Sequence, residues 1–358
     1  MSTAAARPVA DTVVIYVDDR SRAFAAVRFL SDLTKRGAAP EFRRMRGARA
    51  WELRLPRPPV DRIEYQLELV RRDGGSEIAC DLGNPLRVPG PFGHRSVLEL
   101  EGYEAPLWLE DEEAPRGSLE PFSIPVRSLR TDFEGLIWTA PNAEPGQPLP
   151  LLVALDGPEY AEYSELARFL DSASAELDLP PLRAALVAPV FGERDEHFSA
   201  SARYARAFAT EFLPGLGEVA PSPPDREARI GMGASLGGLT MLHLHRLHPE
   251  SFGGLFLQSG SYFRRRFDQY ESAFPRFDRI ARFVGRVLNA PEWPDPVPVT
   301  ITCGTGEENL RNNRAVAEAL RVQGYPVRLV EHADAHNWVS WRDTFDPHLV
   351  ELVHRVWA

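Results

Sequence analysis

The segment "RIGMGASLGG" (residues 229–238) places a serine between two glycines, in the pattern G-x-S-x-G. The residues before Ser235 predict a short apolar strand, and "LGGLTMLHLHRL" after it predicts a helix. A serine nucleophile at a strand-to-helix elbow adopts a strained backbone, and Gly233 and Gly237 would let the strand and the helix approach closely. The segment therefore predicts Ser235 as a nucleophile. The alternative is a serine in an ordinary glycine-rich turn.

Apolar strand patterns alternate with helical patterns on both sides of this turn. "LPLLVALDG", "RAALVAPVF" and "PVTITCGTG" predict buried strands, and "EYSELARFLDSASAEL" predicts a helix between two of them. Strands that alternate with helices form a mostly parallel sheet that is covered on both faces. We therefore predict an α/β fold for this part of the chain.

The first hundred residues predict strands without helices. In "RIEYQLEL" (residues 62–69) every second residue is apolar, which is typical of a strand with one buried side. The acidic run "EDEEAPRGS" (residues 110–118) predicts a linker. We expect a smaller all-β sandwich domain over residues 1–115 and an α/β catalytic domain over residues 116–358.

Composition excludes several classes of function. The net charge of −10 argues against nucleic acid as a partner, because phosphate binding needs a basic surface. Cys80 and Cys303 lie too far apart in sequence to indicate a disulfide framework or a metal site, and we expect neither a metal nor an organic cofactor. The N-terminal residues lack a long apolar run, so we expect a cytoplasmic protein without a membrane partner.

A serine hydroxyl needs a base to remove its proton, and the base in turn needs an acid to orient it. "VRLVEHADAHNWVSW" predicts a strand that leads into a loop with His336, and "VTITCGTGEEN" predicts a strand followed by Glu307 and Glu308. Loops at the carboxyl ends of parallel strands are where such sheets bind ligands. We expect His336 as the base and Glu307 as the acid, with Glu308 and then Asp334 as alternatives. His332 is expected to be structural, and His243, His245 and His248 are expected to decorate the helix after the elbow, pointing along it or away from it.

Several of these segments resemble one known family. "GASLGGLTMLHLHRLHPESFGGLFLQSGSYF" (residues 233–263) resembles the elbow region of the enterochelin esterases and the wider esterase D group of α/β-hydrolases, which includes feruloyl esterases and mycolyltransferases. "LLVALDG", "CGTGEEN" and "HNWVSWRD" resemble that group's oxyanion-loop strand, acid loop and histidine loop. The resemblance implies an early-set, immunoglobulin-like N-terminal domain, and it supports Ser235, His336 and Glu307 as the triad.

The resemblance also implies an oxyanion hole built from backbone N–H groups. One donor is Leu236, which follows the serine. In several relatives the second donor follows an Asp-Gly pair, but this chain has Pro158 there, and proline has no N–H. We expect a shifted donor at Gly157, with Glu159 as the alternative.

A further set of residues is expected to bind the substrate. Arg194, in "FGERDEHF", resembles an arginine segment near the family's active site, where it would anchor an acidic group or brace a loop; the alternative is an exposed arginine. Asp156 and Tyr262 are expected to contact the substrate as well. "SYFRRRFDQYE" (residues 261–271) is interpreted as a lid or substrate wall whose three arginines suit an anionic catecholate siderophore, or as a solvated loop.

We therefore predict a serine carboxylic-ester hydrolase that acts through an acyl-enzyme. By resemblance, the first choice of substrate is a trilactone siderophore, ahead of simple acyl or feruloyl esters, and a ferric siderophore is considered as a partner. One alternative is an acyltransferase on the same fold, and another is a ligand-binding homologue with an impaired oxyanion hole. A homodimer is considered, although no sequence pattern indicates the oligomeric state.

Overall fold

The computed structural model describes residues 11–33, 39–141, 143–144, 146–176 and 179–357. The chain divides into two compact units. The first comprises Met1–Glu104 with the short segments Gly304–Glu307 and His332–Asn337, and the second comprises Ala105–Cys303, Glu308–Glu331 and Trp338–Ala358. The first ten residues of the predicted N-terminal domain lie outside the described residues, and the predicted boundary near residue 115 stays a prediction.

The first unit is built from two antiparallel sheets. One sheet has the strand order β1-β4-β3, and the other has the order β2-β5-β8-β7, with β6 paired to β5. The strands are β1 (Thr12–Asp18), β2 (Phe24–Ser31), β3 (Arg43–Arg44), β4 (Ala50–Pro56), β5 (Arg62–Arg71), β6 (Ser76–Ala79), β7 (Arg87–Val88) and β8 (Arg95–Glu99).

Side chains from both sheets form one hydrophobic core, as in a β-sandwich. The predicted alternation in β5 is present, because Ile63, Tyr65 and Leu67 are all buried in this core. Two residues of the face predicted to be polar, Arg62 and Glu64, are buried as well. They form an ion pair with an N–O distance of 2.7 Å, which satisfies both charges away from water.

The first unit also holds the two short segments by hydrogen bonds of backbone and side-chain groups. The amide of Asp61 donates to the carbonyl of Ala333 at 2.7 Å, and the hydroxyl of Thr305 donates to the carbonyl of Pro59. The buried carboxylate of Asp334 accepts from the amide of Ala335 at 2.6 Å and from the side chain of Asn337 at 3.1 Å. These bonds fix the conformation of the segment that contains His336.

The second unit contains an eight-stranded sheet. The strand order is β16-β15-β14-β13-β11-β12-β10-β9; β9 and β10 are antiparallel, and the pairs from β12 through β11, β13 and β14 to β15 are parallel. The strands are β9 (Ser118–Val126), β10 (Thr131–Thr139), β11 (Leu151–Leu155), β12 (Arg183–Val187), β13 (Arg229–Ala234), β14 (Gly254–Gln258), β15 (Val299–Gly304) and β16 (Val327–His332).

Helices follow most of the parallel strands. They are α1 (Gly157–Tyr163), α2 (Leu166–Glu176), α3 (Arg194–His197), α4 (Ala202–Ala207), α5 (Leu213–Val219), α6 (Leu236–Leu247), α7 (Phe277–Leu288), α8 (Leu310–Val322), α9 (Trp338–Arg342) and α10 (Val350–Trp357). Short 3-10 helices span Leu107–Glu110, Arg226–Ala228 and Gln269–Glu271, and π-helical turns span Phe208–Phe212 and Phe345–Leu349.

The central strands of this sheet are buried on both faces. In β11, Leu151, Val153 and Leu155 belong to one core, whereas Leu152 and Ala154 belong to the other. A strand with alternate residues in two separate cores must have helices on both sides. The prediction of a mostly parallel sheet with two covered faces is therefore confirmed.

Replacing Asp334 with asparagine is expected to reduce the pH dependence of folding stability. Burial raises the pKa of Asp334 to about 7, against the opposing charge of Arg62. The folded state holds this proton more tightly than the unfolded chain does. The protonated Asp334 side chain therefore adds to the free energy of unfolding, in full below the ordinary pKa of 3.8, and this stabilisation is lost as the pH rises through about 7.

Urea unfolding at about pH 5 and about pH 8 measures the effect. The free energy of unfolding should fall less between these pH values in Asp334→Asn than in the unsubstituted protein. Asp73→Asn, at an exposed turn residue, is the matched control and should behave like the unsubstituted protein. An equal fall in all three proteins would contradict the expected role of Asp334.

Candidate active site

Ser235 occupies the turn between β13 and α6, with φ 55° and ψ −119°. A positive φ in a residue other than glycine costs conformational energy and persists only where the surrounding structure enforces it. Here the amide of Ser235 donates to the carbonyl of Gln258 at 2.8 Å, and its carbonyl accepts from the amide of Ser261 at 3.0 Å. The end of β14 and the segment after it thus hold the turn from both sides.

The two glycines of the G-x-S-x-G pattern are under different steric constraints. A Cβ atom added to Gly233 would lie 2.5 Å from the carbonyl carbon of Gly237, which no side chain tolerates. A Cβ atom on Gly237 would lie 3.4 Å from the Asp156 carboxylate, an ordinary contact. The close approach expected at these two glycines is present between Gly233 and the backbone of Gly237; only Gly233 must be glycine for it, because Gly237 has room for a methyl group.

The side chain of Ser235 contacts a second hydroxyl. Its Oγ lies 3.1 Å from Oγ of Ser261, which is three residues beyond the end of β14. Ser261 was not predicted from the sequence as a functional residue. The sequence signal that could have indicated Ser261 is the polar "QSGS" at the carboxyl end of an apolar strand. The sequence does not show, however, that this strand, β14, is the neighbour of β13.

Glu307 and His336 form a hydrogen bond in the first unit. Nδ1 of His336 donates to Oε2 of Glu307 at 2.7 Å, and Oε1 of Glu307 accepts from the amide of Gly304 at 2.8 Å. The Glu307 side chain is 1% exposed, whereas Glu308 is exposed. A carboxylate at Nδ1 favours the histidine tautomer whose Nε2 accepts protons. Of the candidate acids, Glu307 is thus the one that the structure brings to His336.

The histidines on α6 lie in the core rather than on an exposed helix face. Burial, together with the charge of Arg286, lowers the pKa of His243 to about 4, and its ring packs edge-on against Phe283. Burial also lowers the pKa of His245 to about 3, and its Nε2 lies 3.1 Å from the hydroxyl of Tyr325. Both imidazoles are therefore neutral near pH 7 and are held by packing contacts.

The expected oxyanion donors, Leu236 and Gly157, are both first residues of helices. Amides in the first turn of a helix have no acceptor within that helix. A Cβ atom on Gly157 would lie 2.1 Å from the carbonyl carbon of Leu186, so only glycine fits at this position. The choice of Gly157 over Glu159 as the second donor stays a prediction.

Arg194 and Asp156 bind each other. Nε and Nη2 of Arg194 each donate to a separate Asp156 oxygen at 2.7 Å, and the Asp156 side chain is 2% exposed. Because Asp156 directly precedes Gly157, this bidentate pair braces the loop that leads into α1. The loop-bracing interpretation of Arg194 matches this geometry, while direct contact of either residue with a substrate stays a prediction.

Tyr262 lies in the core of the second unit and is fully buried. Its hydroxyl has no hydrogen-bond partner among the described residues. Burial raises the pKa of this hydroxyl above its ordinary value, so it is protonated. This position does not favour direct contact with a substrate, and the predicted binding role stays untested.

Metal clusters and membrane spans are both absent from the described part of the chain. Within the described part of the chain, no group of three or more His, Cys, Asp or Glu side chains is placed to hold a metal ion. Every helix in the same part of the chain is too short or too polar to cross a bilayer.

Curated proteins with similar sequences are described as iron(III) enterobactin esterases. The protein from Dickeya dadantii (strain 3937) is 29% identical over 227 residues, which are 60% of this chain and 51% of that protein. The protein from Escherichia coli O6:H1 is 30% identical over 209 residues, which are 57% of this chain and 51% of that protein. The chain thus spans about half the length of the curated relatives it matches.

Solved structures with the same fold carry similar descriptions. The ferric enterobactin esterase from Salmonella typhimurium superposes with a TM-score of 0.78 at 18% identity and covers 97% of this chain and 93% of that chain. The enterobactin esterase from Shigella flexneri gives 0.75 at 19% identity, with 98% and 96% covered. A ferulic acid esterase gives 0.59 at 18% identity over 68% of this chain and all of that chain. These likenesses confirm the predicted α/β-hydrolase fold with a smaller β domain before it.

A family model matches most of the second unit. Residues 135–352 match the model whose description reads "Putative esterase". The matched range is more than half of the chain and includes Ser235, Glu307 and His336. The chain therefore belongs to this esterase family, as its resemblance to the enterochelin esterases predicted.

Proposed function

We propose that the protein is a serine carboxylic-ester hydrolase that cleaves a trilactone siderophore of the enterobactin class in its iron-bound form. Two of its relatives are described as iron(III) enterobactin esterases, which supports this choice of substrate. The observation that carries the proposal is the 2.7 Å hydrogen bond from His336 to the buried Glu307, because this pair has the chemistry of a general base with its orienting acid. A cytoplasmic location and a homodimer stay predictions.

Sheet topology supports Ser235 as the partner of this pair. β13, β14 and β15 run parallel, so the turn with Ser235 and the loop with Glu307 both follow carboxyl ends of strands in one sheet. His336 follows β16, which is the neighbour of β15. The strained backbone of Ser235 is a second argument, since such strain is concentrated at functional sites.

In the proposed reaction, Oγ of Ser235 attacks the ester carbonyl while Nε2 of His336 takes its proton. The negative charge of Glu307 stabilises the imidazolium that forms, and the amides of Leu236 and Gly157 bind the oxyanion. The imidazolium then gives its proton to the alcohol oxygen as the ester bond breaks. The alcohol departs, and the acyl group stays bound to Ser235 as an acyl-enzyme. Water, activated by the same imidazole, attacks this ester; the carboxylic acid departs and Ser235 is regenerated.

The second oxyanion donor is the part of this mechanism most sensitive to the loop after β11. One such donor is worth about 3–4 kcal/mol in the transition state, or roughly 100- to 1000-fold in rate. The bidentate Arg194–Asp156 pair fixes the residue before Gly157, so it acts on the oxyanion through the loop and not by contact. In this arrangement the amide of Gly157 takes the place of the N–H that Pro158 lacks.

Ser235→Ala is expected to lower turnover of a p-nitrophenyl ester by roughly 10⁴-fold or more, because the nucleophile is removed. It should also abolish covalent labelling by an organophosphonate, measured by intact mass. Ser272→Ala, at an exposed serine of the same unit, is the matched control and should keep both activities. Ester turnover that survives in Ser235→Ala, or the absence of both labelling and turnover in the unsubstituted protein, would refute the hydrolase proposal.

Glu307→Gln is expected to lower kcat by about 100- to 10,000-fold with little change in KM, because an amide at Nδ1 favours the wrong tautomer of His336. The glutamine Oε1 can still accept from the amide of Gly304, so the loop should stay folded. Glu308→Gln changes the adjacent exposed carboxylate and should leave kcat nearly unaltered. Steady-state kinetics of both variants decide the assignment, and the reverse ranking would make Glu308 the acid.

A further inference from the structure

Three arginine side chains surround the ring of Phe267. The guanidinium carbons of Arg264, Arg266 and Arg311 lie 4.7, 5.6 and 3.6 Å from the centre of this ring. Among the described residues, none of these three guanidinium groups forms an ion pair. Arg265, between the first two in sequence, instead pairs with Asp278 at 2.9 Å. Arg264, Arg266, Arg311 and Phe267 are called the arginine cluster below.

Three like charges around one ring repel one another, and water screens this repulsion only in part. The electron-rich face of the ring offsets some of the cost, since guanidinium groups bind aromatic faces. Stacking against a ring leaves the N–H groups at the edges of each guanidinium available for an anion. One carboxylate of the segment, Asp268, is buried and accepts from the amide of Arg264 at 2.6 Å and from the side chain of Asn312 at 2.8 Å.

The position of the arginine cluster is fixed by the start of α8. Asn309, before α8, donates to the carbonyl of Ser259 at 2.9 Å. Asn313 donates to the carbonyl of Gly260 at 3.1 Å, and Asn312 binds Asp268. These amides tie α8, which carries Arg311, to the segment that carries Phe267. The cluster is therefore built by tertiary contacts and not only by three adjacent arginines in sequence.

The arginine cluster lies close to the proposed nucleophile. Oγ of Ser261 is 3.1 Å from Oγ of Ser235, and Arg264 is three residues further along the chain. Because an extended chain spans at most about 3.6 Å per residue, the Cα atoms of Ser261 and Arg264 are no more than about 11 Å apart. A ligand that is as large as a trilactone and is bound at Ser235 can therefore reach the guanidinium groups.

We propose that the arginine cluster is an anion-binding subsite that selects the iron-bound, negatively charged form of a catecholate ester over its metal-free form. Catechol hydroxyls keep their protons near neutral pH, so the metal-free ester is nearly uncharged, whereas catecholates bound to iron(III) give a complex with net negative charge. The three guanidinium groups donate charge-assisted hydrogen bonds to the catecholate oxygens. This inference rests on the proposed function for the identity of the ester.

The test compares Arg264→Gln/Arg266→Gln/Arg311→Gln with Arg265→Gln. Ferric enterobactin, metal-free enterobactin and neutral p-nitrophenyl butyrate are the three substrates. The triple variant should raise KM for ferric enterobactin about tenfold or more and leave both uncharged esters nearly unchanged. Arg265→Gln removes a charge from the same segment and should change none of the three. The increase in KM should shrink at high salt, where the charges are screened.

A binding measurement separates this inference from the proposed function. Ser235→Ala and the same protein with the triple substitution are titrated with ferric enterobactin by tryptophan fluorescence quenching, so that no turnover is needed. About tenfold weaker binding on triple substitution supports the subsite even if hydrolysis fails. Equal binding, an equal loss for ferric and metal-free enterobactin, or the same loss in Arg265→Gln would overturn it. Circular dichroism spectra that match those of the unsubstituted protein exclude misfolding as the cause.

Discussion

The left-handed backbone of Ser235 is the constraint on which the candidate site depends. Its amide and carbonyl are bound by Gln258 and by Ser261, so the turn keeps its conformation only while β14 lies beside β13. Gly233 is needed for the same reason, since any side chain there would collide with the first turn of α6. The same contacts bring the Ser261 hydroxyl to Ser235 and set where the segment with the arginine cluster begins. One strained residue thus links the sheet, the helix after it and the surrounding polar groups.

Three buried carboxylates have different roles because they have different partners. Asp156 is bound by a guanidinium group and braces a loop. Glu307 is bound by an imidazole, which gives it the chemistry of an orienting acid. Asp334 is bound by amides, and its burial raises its pKa to about 7. The chemical group is the same in each case, and the partner decides whether it pairs, orients or holds a proton.

The parts of the site that could be predicted from sequence are those coded by local patterns. Ser235 follows a short apolar strand and precedes a helix, and Glu307 and His336 each follow an apolar strand, so their places at strand ends were readable. Ser261 and Arg311 were missed because their relevance depends on which strands and helices are neighbours. Tyr262 was expected to contact substrate, a prediction that stays untested, and its ring is packed in the core. The sequence does not show which way a side chain in a loop points.

The sequence by itself determined the α/β class and the smaller β domain before it, and it indicated Ser235, His336 and a glutamate after β15 as the proposed nucleophile, base and acid. These depend on hydrophobic periodicity and on glycine and serine spacing, which act over a few residues. Only the tertiary structure decided that Glu307 and not Glu308 binds His336, that Arg194 pairs with Asp156, and that Arg311 joins Arg264 around Phe267. Such choices depend on distances between segments far apart in the chain, and packing of the whole fold sets those distances.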